Sequence, residues 1–173
     1  AVLDLIAEHS PNPGSIDSVA VSTFDIATRL GGYTSENSNY VECQFSIPYI
    51  LAVAILDKRL TAEQFTPSRI QEPLVHEFAK RVKVELDSDL ERQFPKKYAA
   101  TVRIRMKNGK IYMRHIDYPK GDPENQFTNE ELIKKFVELS EPVIGSERTY
   151  KARGMILQLE GETGISSLMR ILN

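Results

Sequence analysis

The sequence predicts an α+β domain in which a small mixed or antiparallel sheet has helices packed on one of its faces. The segment SIDSVAVSTF has the length and the β-branched content of a strand. A long apolar helix follows it, and the later run TVRIRMKNGKIYMRHIDY contains the Asn-Gly dipeptide of a β-hairpin. The resulting order is strand, helices, strand, hairpin and further helices.

The composition excludes several classes of protein. The chain has 173 residues, a hydrophobic content of 41% and a formal net charge of −2. Because positive and negative residues are well mixed, no basic field is available for a nucleic acid. The longest apolar run, Ile47 to Leu56, is far shorter than the roughly 20 residues that span a bilayer. Nucleic acids and membranes are therefore not expected partners.

The cysteine and histidine content argues against a metal centre. The single cysteine, Cys43, cannot form an internal disulfide, which fits a reducing compartment. An iron–sulfur cluster or a structural zinc needs several soft ligands, and the three histidines are widely separated. We predict neither a metal nor another cofactor.

The first third of the chain contains a helix, a strand and a loop. AVLDLIAEHS has a helical pattern that ends at the turn formers SPNPG. The pattern indicates that the sequence starts in the middle of a helix. We therefore expect residues 1–15 to be the end of a helix that belongs to a preceding segment of a longer protein. After the strand, residues 25–30 form a short helix, and GGYTSENSN reads as a loop.

The segment QFSIPYILAVAIL predicts a buried helix. Ser46 suits the N-cap position, and Pro48 lies in the first turn, where a missing N–H does no harm. Apolar residues occur on all sides, which indicates burial on most sides. Tyr49 then lies in the first turn, where free backbone N–H groups and the helix dipole favour an anion.

The middle of the chain predicts a short helical piece, a helix, a strand and a hairpin. KRLTAEQFT reads as a turn and a helical piece, a helix begins near Pro73, and VKVEL places Val82, Val84 and Leu86 on one face. A two-residue type I′ turn at Asn108-Gly109 would put three residues of each hairpin strand on the buried face. These are Val102, Ile104 and Met106 with Ile111, Met113 and His115, and the opposite face carries Arg103, Arg105 and Arg114. That second face is either solvated or close to something acidic.

The last third of the chain is helical after a loop, YPKGDPENQF. Thr128 and Glu131 form a capping box for a helix that ends near Leu139. Helical stretches at about 147–160 and 163–172 follow.

Three residues invite functional hypotheses from their local surroundings alone. Tyr49 could hydrogen-bond a carboxylate or transfer a proton, or it could be a core tyrosine whose hydroxyl bonds a backbone carbonyl. Lys120, beside the flexible Gly121, could hold a carboxylate or be a solvated loop lysine. For His115, a core position in which its hydrogen bonds are satisfied is favoured over a catalytic role. On residues alone, the core or solvated alternative is favoured in each case.

Two stretches resemble one family. QFSIPYILAVAILDKRLTAEQFT resembles the F-S-x-x-Y segment of the 2-methylcitrate dehydratase (MmgE/PrpD) family, and HIDYPKGDPENQFTNEELIKKF resembles its Y-P-(K/R)-G signature. Both occur in the family's order with a hairpin between them. The resemblance implies the lid domain of a larger, otherwise all-helical enzyme. It assigns 16–145 to the lid and 146–173 to helices that in relatives pack back on the helical domain.

The resemblance also implies a reaction. Relatives dehydrate 2-methylcitrate, decarboxylate cis-aconitate or epimerise iminodisuccinate, without a cofactor. The chain is thus expected to be part of a cytoplasmic lyase that acts on a small di- or tricarboxylate. The first expectation is a dehydratase of a 2-methylcitrate-like acid. Epimerisation, decarboxylation, or a non-catalytic ligand-binding or interaction module are the alternatives. The expected partners are the missing N-terminal helical domain and a second subunit in a homodimer, and the chain alone is expected to be inactive.

Site residues follow from the same motifs. Tyr49 matches the tyrosine that in relatives reaches the active site and is the catalytic candidate, with Ser46 and Phe45 as the cap and packing that hold it. Ser46 is also a candidate for substrate binding. Lys120 and Gly121 match the loop signature, as either structural or substrate-binding residues. The chain departs from the family at Asp122, where many relatives have histidine, and at Gln126, which replaces a proline. These departures leave room for a different substrate.

Overall fold

A computed structural model describes residues 1–33, 39–161 and 164–172, which divide into two compact units, Ala1–Pro119 and Lys120–Asn173. In the first unit the helices are α1 (Val2–His9), α2 (Asp25–Gly31), α3 (Tyr40–Phe45), α4 (Ile47–Asp57), α5 (Pro67–Ile70), α6 (Pro73–Ala79) and α7 (Ser88–Glu91). Its strands are β1 (Ile16–Thr23), β2 (Val82–Leu86), β3 (Ala100–Met106) and β4 (Ile111–Ile116). Short 3₁₀ turns cover Pro13–Ser15 and Ala62–Phe65.

The four strands form one mixed sheet in the order β2-β1-β3-β4. β1 pairs in parallel with β2 and antiparallel with β3, and β3 pairs antiparallel with β4. A register shift between Ile16 and Ser18 places a bulge at the start of β1. The predicted α+β fold with a small mixed sheet is confirmed.

One face of the sheet supplies the core of the first unit. Val19, Val21 and Ile104 are at most 4% exposed and pack against buried residues of α1, α4 and α6. The alternate residues Lys83, Arg103 and Arg105 are exposed on the other face. The strand period of two separates an apolar face from a polar one, and α1, α4 and α6 pack on the apolar face.

The predicted register of the hairpin is wrong by one residue. The loop has three residues rather than two, because Gly109 N donates to Met106 O and Met106 N to Lys110 O. Gly109 has φ 85, whereas Asn108 keeps a negative φ, so a type I turn followed by a glycine bulge replaces the type I′ turn. A shift of one residue turns every β4 side chain to the opposite face.

The corrected register changes which residues share a face. Ile104 pairs with Tyr112 and Val102 with Arg114, so these β4 residues lie on the core side. Ile111, Met113 and His115 are exposed instead, on the same face as Arg103 and Arg105. The prediction that His115 lies on the apolar face is therefore also wrong.

Two further details differ from the sequence prediction. Tyr40–Phe45, for which the sequence predicted no element of its own, is a helix, because Asn39 and Glu42 form a reciprocal capping box. Residues 34–38, from the predicted loop GGYTSENSN, lie outside the described residues. In β2 only Val82 is fully buried, and Leu86 at the strand end is 55% exposed.

The second unit is helical where it is described, with α8 (Asn129–Ile144), α9 (Ser146–Leu157), a 3₁₀ turn at Leu159–Gly161 and α10 (Ser166–Leu172). The predicted capping box of Thr128 and Glu131 is confirmed. Helix α8 continues past Leu139 and contains Pro142. Gly145, with φ 79, then separates α8 from α9. The domain boundaries predicted at 15/16 and 145/146 stay predictions.

Candidate functional site

The first turn of α4 is held by the side chain of Ser46. Its Oγ accepts a hydrogen bond from Tyr49 N at 3.3 Å and donates one to the carbonyl of Tyr33 at 2.6 Å. Pro48 occupies the first turn, where no backbone hydrogen bond is lost. The predicted N-cap is confirmed, and Ser46 is itself only 1% exposed.

The Tyr49 side chain points into the protein. It is 4% exposed, and its hydroxyl donates a hydrogen bond of 2.6 Å to the backbone carbonyl of Gln64. Its ring lies 5.9 Å from that of Phe65, measured between centroids. Burial, and next the proximity of Cys43, raise the pKa of Tyr49 to about 12. The phenol is therefore neutral at physiological pH and can donate a proton or a hydrogen bond, but cannot act as a base.

A polar network lies next to Tyr49, and the sequence reading missed it. Gln64, which is 3% exposed, donates from Nε2 to Asp57 Oδ2 at 3.0 Å. Arg69 Nε donates to the same oxygen at 3.3 Å, and its guanidinium also pairs with Glu72. Burial acts to lower the pKa of Arg69, but the hydrogen bonds that its guanidinium donates to Glu72 and Asp57 outweigh burial and raise that pKa. The sequence could have indicated this network through the Thr61–Gln64 capping box, because that box fixes the backbone of Gln64, whose carbonyl accepts the Tyr49 hydrogen bond.

Phe45 lies on the surface instead of packing around Tyr49. It is 62% exposed, and Phe65 supplies the ring contact that had been expected of it. Together with Ile47 it lines an apolar cavity of about 380 Å³. The rest of the lining is Phe24, Ile26, Ala27, Leu30, Gly31, Phe94 and Tyr98. The two aromatic residues of the F-S-x-x-Y motif thus face different surroundings, one apolar and open, the other buried.

Lys120, in the second unit, is bound by its own loop and helix. Its Nζ lies 2.7 Å from Glu131 Oε2 and 5.5 Å from the ring centre of Phe127. The hydrogen bond from Lys120, followed by that from the Thr128 backbone, lowers the pKa of Glu131. The lysine is thereby held at the start of α8, although its side chain remains 39% exposed.

Gly121 has a conformation that a larger residue would strain. Its φ is 100, and its N–H donates to the carbonyl of Asn125 at 2.9 Å. A Cβ at this position would lie 3.0 Å from Cε2 of Phe127. The glycine is required by the turn itself. The departure from the family at Asp122 lies within this turn, where its carboxylate accepts a hydrogen bond from Glu124 N at 3.1 Å.

A second polar cluster lies at the end of the hairpin. His115 Nδ1 is 2.9 Å from Thr101 Oγ1, and its Nε2 is 3.3 Å from Asp117 Oδ1. Lys97 Nζ donates to the same Asp117 oxygen at 2.8 Å. The hydrogen bond from Lys97, and next that from His115, lowers the pKa of Asp117. The hydrogen bond between Lys97 and Asp117 also raises the pKa of Lys97. The His-x-Asp spacing at the end of β4 could have indicated this cluster.

The predicted residues fall into two groups. Ser46 and Tyr49 are in direct contact in the first unit, and Lys120 and Gly121 share one turn in the second. Within the described ranges 1–33, 39–161 and 164–172, no three His, Cys, Asp or Glu residues are grouped as metal ligands. No helix in the described part of the chain is both long enough and apolar enough to cross a membrane.

Comparison with known proteins shows the family. Residues 1–160 match the MmgE/PrpD C-terminal domain. The chain is 27% identical to a cis-aconitate decarboxylase of Aspergillus terreus over 132 residues, which are 75% of this chain and 27% of that protein. It is 24% identical to the cis-aconitate decarboxylase of Mus musculus over 131 residues, 76% of this chain and 27% of the relative. The chain thus spans about a quarter of these curated relatives, and it belongs to the MmgE/PrpD family through the C-terminal domain.

Proposed function

We propose that this chain is part of a lyase that acts on a small tricarboxylate by decarboxylation or dehydration. The observation that carries the proposal is the match of residues 1–160 to the MmgE/PrpD C-terminal domain. The relatives named above are cis-aconitate decarboxylases, and that favours decarboxylation of a cis-aconitate-like acid as the first candidate.

In decarboxylation the bond between carbon and the departing carboxyl group breaks, and CO₂ leaves without the bonding electrons. The electron pair stays on the carbon skeleton, where a neighbouring carboxylate delocalises it until a proton is added. Neutral hydrogen-bond donors lower the barrier to this step because they stabilise the developing negative charge. We assign this role to the Tyr49 hydroxyl, which its raised pKa keeps protonated.

Tyr49 can reach a substrate only if it exchanges its present partner. Its hydroxyl now donates to the Gln64 carbonyl, at the end of the 3₁₀ turn Ala62–Phe65. A substrate oxygen would replace that carbonyl as the acceptor. Ser46 acts as a positioning residue because it caps the turn that carries Tyr49. Lys120 and Gly121 remain candidates for contact with a substrate carboxylate, with Lys120 exchanging Glu131 for it.

The remaining chemical groups come from outside these residues. A single neutral phenol cannot both remove and deliver protons, and the described residues give the Tyr49 hydroxyl one partner, a carbonyl. The relatives are almost four times longer than the matched region. We therefore propose that a helical domain supplies the base and the remaining binding groups, in a cytoplasmic homodimer.

Dehydration of a 2-methylcitrate-like acid is the second candidate, and it rests on the resemblance of QFSIPYILAVAILDKRLTAEQFT and the YPKG loop to the 2-methylcitrate dehydratase family. Here a proton leaves a carbon next to a carboxylate, and the hydroxyl group departs as water after it is protonated. Tyr49 would donate that proton. The two candidates share a site and differ in which bond breaks.

Product analysis separates the candidates. The longest protein that the gene encodes, and the 173-residue chain by itself, are each mixed with cis-aconitate and with 2-methylcitrate. We expect CO₂ from cis-aconitate with the long protein only, whereas a rise in ultraviolet absorbance with 2-methylcitrate and no CO₂ would assign dehydration. Turnover by the 173-residue chain alone would contradict the need for a helical domain. No reaction with either acid would refute the lyase proposal.

A further inference from the structure

The open face of the sheet contains a trough that runs along β1. Its floor consists of the small residues Ser18 and Ala20, with Arg103 and Arg105 on one side. Lys83 and Glu85 on β2 form the other side. The trough has a volume of about 450 Å³, and Asp17 lies at one end. All four side chains of its walls are exposed.

Arg103 and Arg105 differ from the other arginines of the first unit. Each of the others has a partner there, an acidic side chain for Arg29, Arg59, Arg69, Arg92 and Arg114, and the Ile16 carbonyl for Arg81. For Arg103 and Arg105 the described residues provide no hydrogen bond, ion pair or ring contact. Guanidinium groups bind carboxylates in a fixed geometry, so two adjacent free ones favour an acidic partner.

Exposed apolar residues lie directly beside the two arginines. Met113 pairs with Arg103 and Ile111 with Arg105 across the hairpin, and they are 59% and 47% exposed. A small dissolved anion would leave these side chains in water. A combination of neighbouring cations and exposed apolar groups is typical of a surface that binds another protein.

The dimensions of the trough fit an α-helix. The β2 and β3 backbones that carry the walls are two strand spacings apart, roughly 9.5 Å, so a helix of about that diameter can lie above the small residues of β1. Arg103 and Arg105 are two residues apart on one strand, roughly 6.7 Å. Carboxylates at positions i and i+4 of a helix are separated by about 6 Å along its axis, so both can meet an arginine at once.

We propose that this trough is the docking site for an acidic amphipathic helix of a protein partner. The glutamates or aspartates of that helix pair with Arg103 and Arg105, and its apolar side chains cover Met113 and Ile111. A second copy of the same sheet face is a poorer occupant, because this face presents three cations, Lys83, Arg103 and Arg105, against two acids. This inference does not depend on the proposed lyase activity.

Two synthetic peptides test the proposal with the 173-residue chain at 150 mM salt. One is a 16-residue helix with glutamates at i and i+4 flanked by leucines, and the other carries lysines in place of the glutamates. Amide chemical shifts of the isotope-labelled chain report the binding site. We expect the glutamate peptide, and not the lysine peptide, to shift the amides of residues 18–22, 101–105 and 111–113.

Charge reversal provides the matched comparison. Arg103→Glu/Arg105→Glu should weaken binding of the glutamate peptide by about tenfold or more, since two ion pairs become repulsive. Arg29→Glu/Arg92→Glu changes the charge equally, at exposed arginines that lie outside the trough, and should leave the affinity unchanged. If the first variant does not fold, the shift map of the unaltered chain with both peptides decides.

Several outcomes would overturn the proposal. These are equal binding of the lysine peptide, shifts confined to other surfaces such as that around Phe45, and unchanged affinity of the Arg103/Arg105 variant. Self-association of the chain that this variant abolishes would assign the face to a second copy instead.

Discussion

Helices α4 and α8 both begin at a side-chain cap inside a family motif, yet α4 buries seven of its residues and α8 buries none. Tyr49 in α4 is enclosed, with one hydrogen bond to a carbonyl. Lys120 before α8 is held by an ion pair and a ring contact at the surface. Core packing therefore fixes the first motif, whereas local turn geometry and charge fix the second. Substitutions in the two motifs should differ accordingly.

The largest difference is expected for apolar truncation. Ile55→Ala in α4 removes a side chain that is 1% exposed and should lower the free energy of unfolding by about 3 kcal/mol, because a cavity remains in the core. Leu132→Ala in α8, at 49% exposure, should cost less than about 1 kcal/mol. Urea denaturation measures both. Equal losses would contradict the contrast in packing.

The next effect concerns the turn geometry of the second motif. Gly121→Ala should destabilise the protein by about 1.5 kcal/mol, because φ 100 is unfavourable for alanine and its Cβ would meet Phe127. Gly109→Ala is the control, since φ there is also positive at 85 but nothing lies within 4 Å of the added Cβ. Thermal denaturation should rank Gly121→Ala as the more damaging change. If Gly109→Ala were the more damaging change, the contact with Phe127 would not determine the stability cost at position 121.

Much of the first motif could be predicted from the sequence because its signals are local. Ser46 and Pro48 marked the start of α4, and the unbroken apolar run indicated its burial. The favoured interpretation of Tyr49 as a core tyrosine whose hydroxyl bonds a backbone carbonyl is confirmed, but its acceptor, the carbonyl of Gln64 15 residues later, could not be predicted. A phenol in a first turn can point to solvent or inward, and only the packing of the 3₁₀ turn decides.

The hairpin shows a different limit. Asn108-Gly109 correctly indicated a tight turn, but two-residue and three-residue loops share that dipeptide. The alternating strand β4 is apolar at Ile111 and Met113 and amphipathic at Tyr112 and Arg114, so its pattern does not select a face. The helix α3 was missed because asparagine serves both loops and N-caps.

A smaller effect, of pH, arises in the first motif. The pKa of Tyr49 is raised from 10 to about 12 in the folded protein, so its contribution to stability is complete below pH 10 and is lost as the pH rises towards 12. Between pH 9 and 10.5 the chain should lose about 0.8 kcal/mol more than Tyr49→Phe, which lacks the group. Urea denaturation across this range measures the difference. Parallel curves would show that the phenol is not shielded from water.

The smallest effect is expected at Lys120. Lys120→Met keeps an aliphatic contact with Phe127 but removes a surface ion pair, so the free energy of unfolding should fall by about 0.3 kcal/mol. High salt should remove most of this difference by screening the pair. If the free energy of unfolding falls by more than about 1 kcal/mol and the loss persists in high salt, Lys120 stabilises the protein by more than a surface ion pair.

The most direct measurement is the turnover of cis-aconitate by the Tyr49→Phe variant of the longest protein that the gene encodes. We expect kcat to fall about 100-fold while the circular dichroism spectrum is retained, because the donor is lost and the ring remains. Tyr33→Phe is the matched control, since its hydroxyl also donates to a backbone carbonyl, that of Glu42, and it should keep its activity. An unchanged kcat for Tyr49→Phe would make Tyr49 a packing residue and contradict its proposed role.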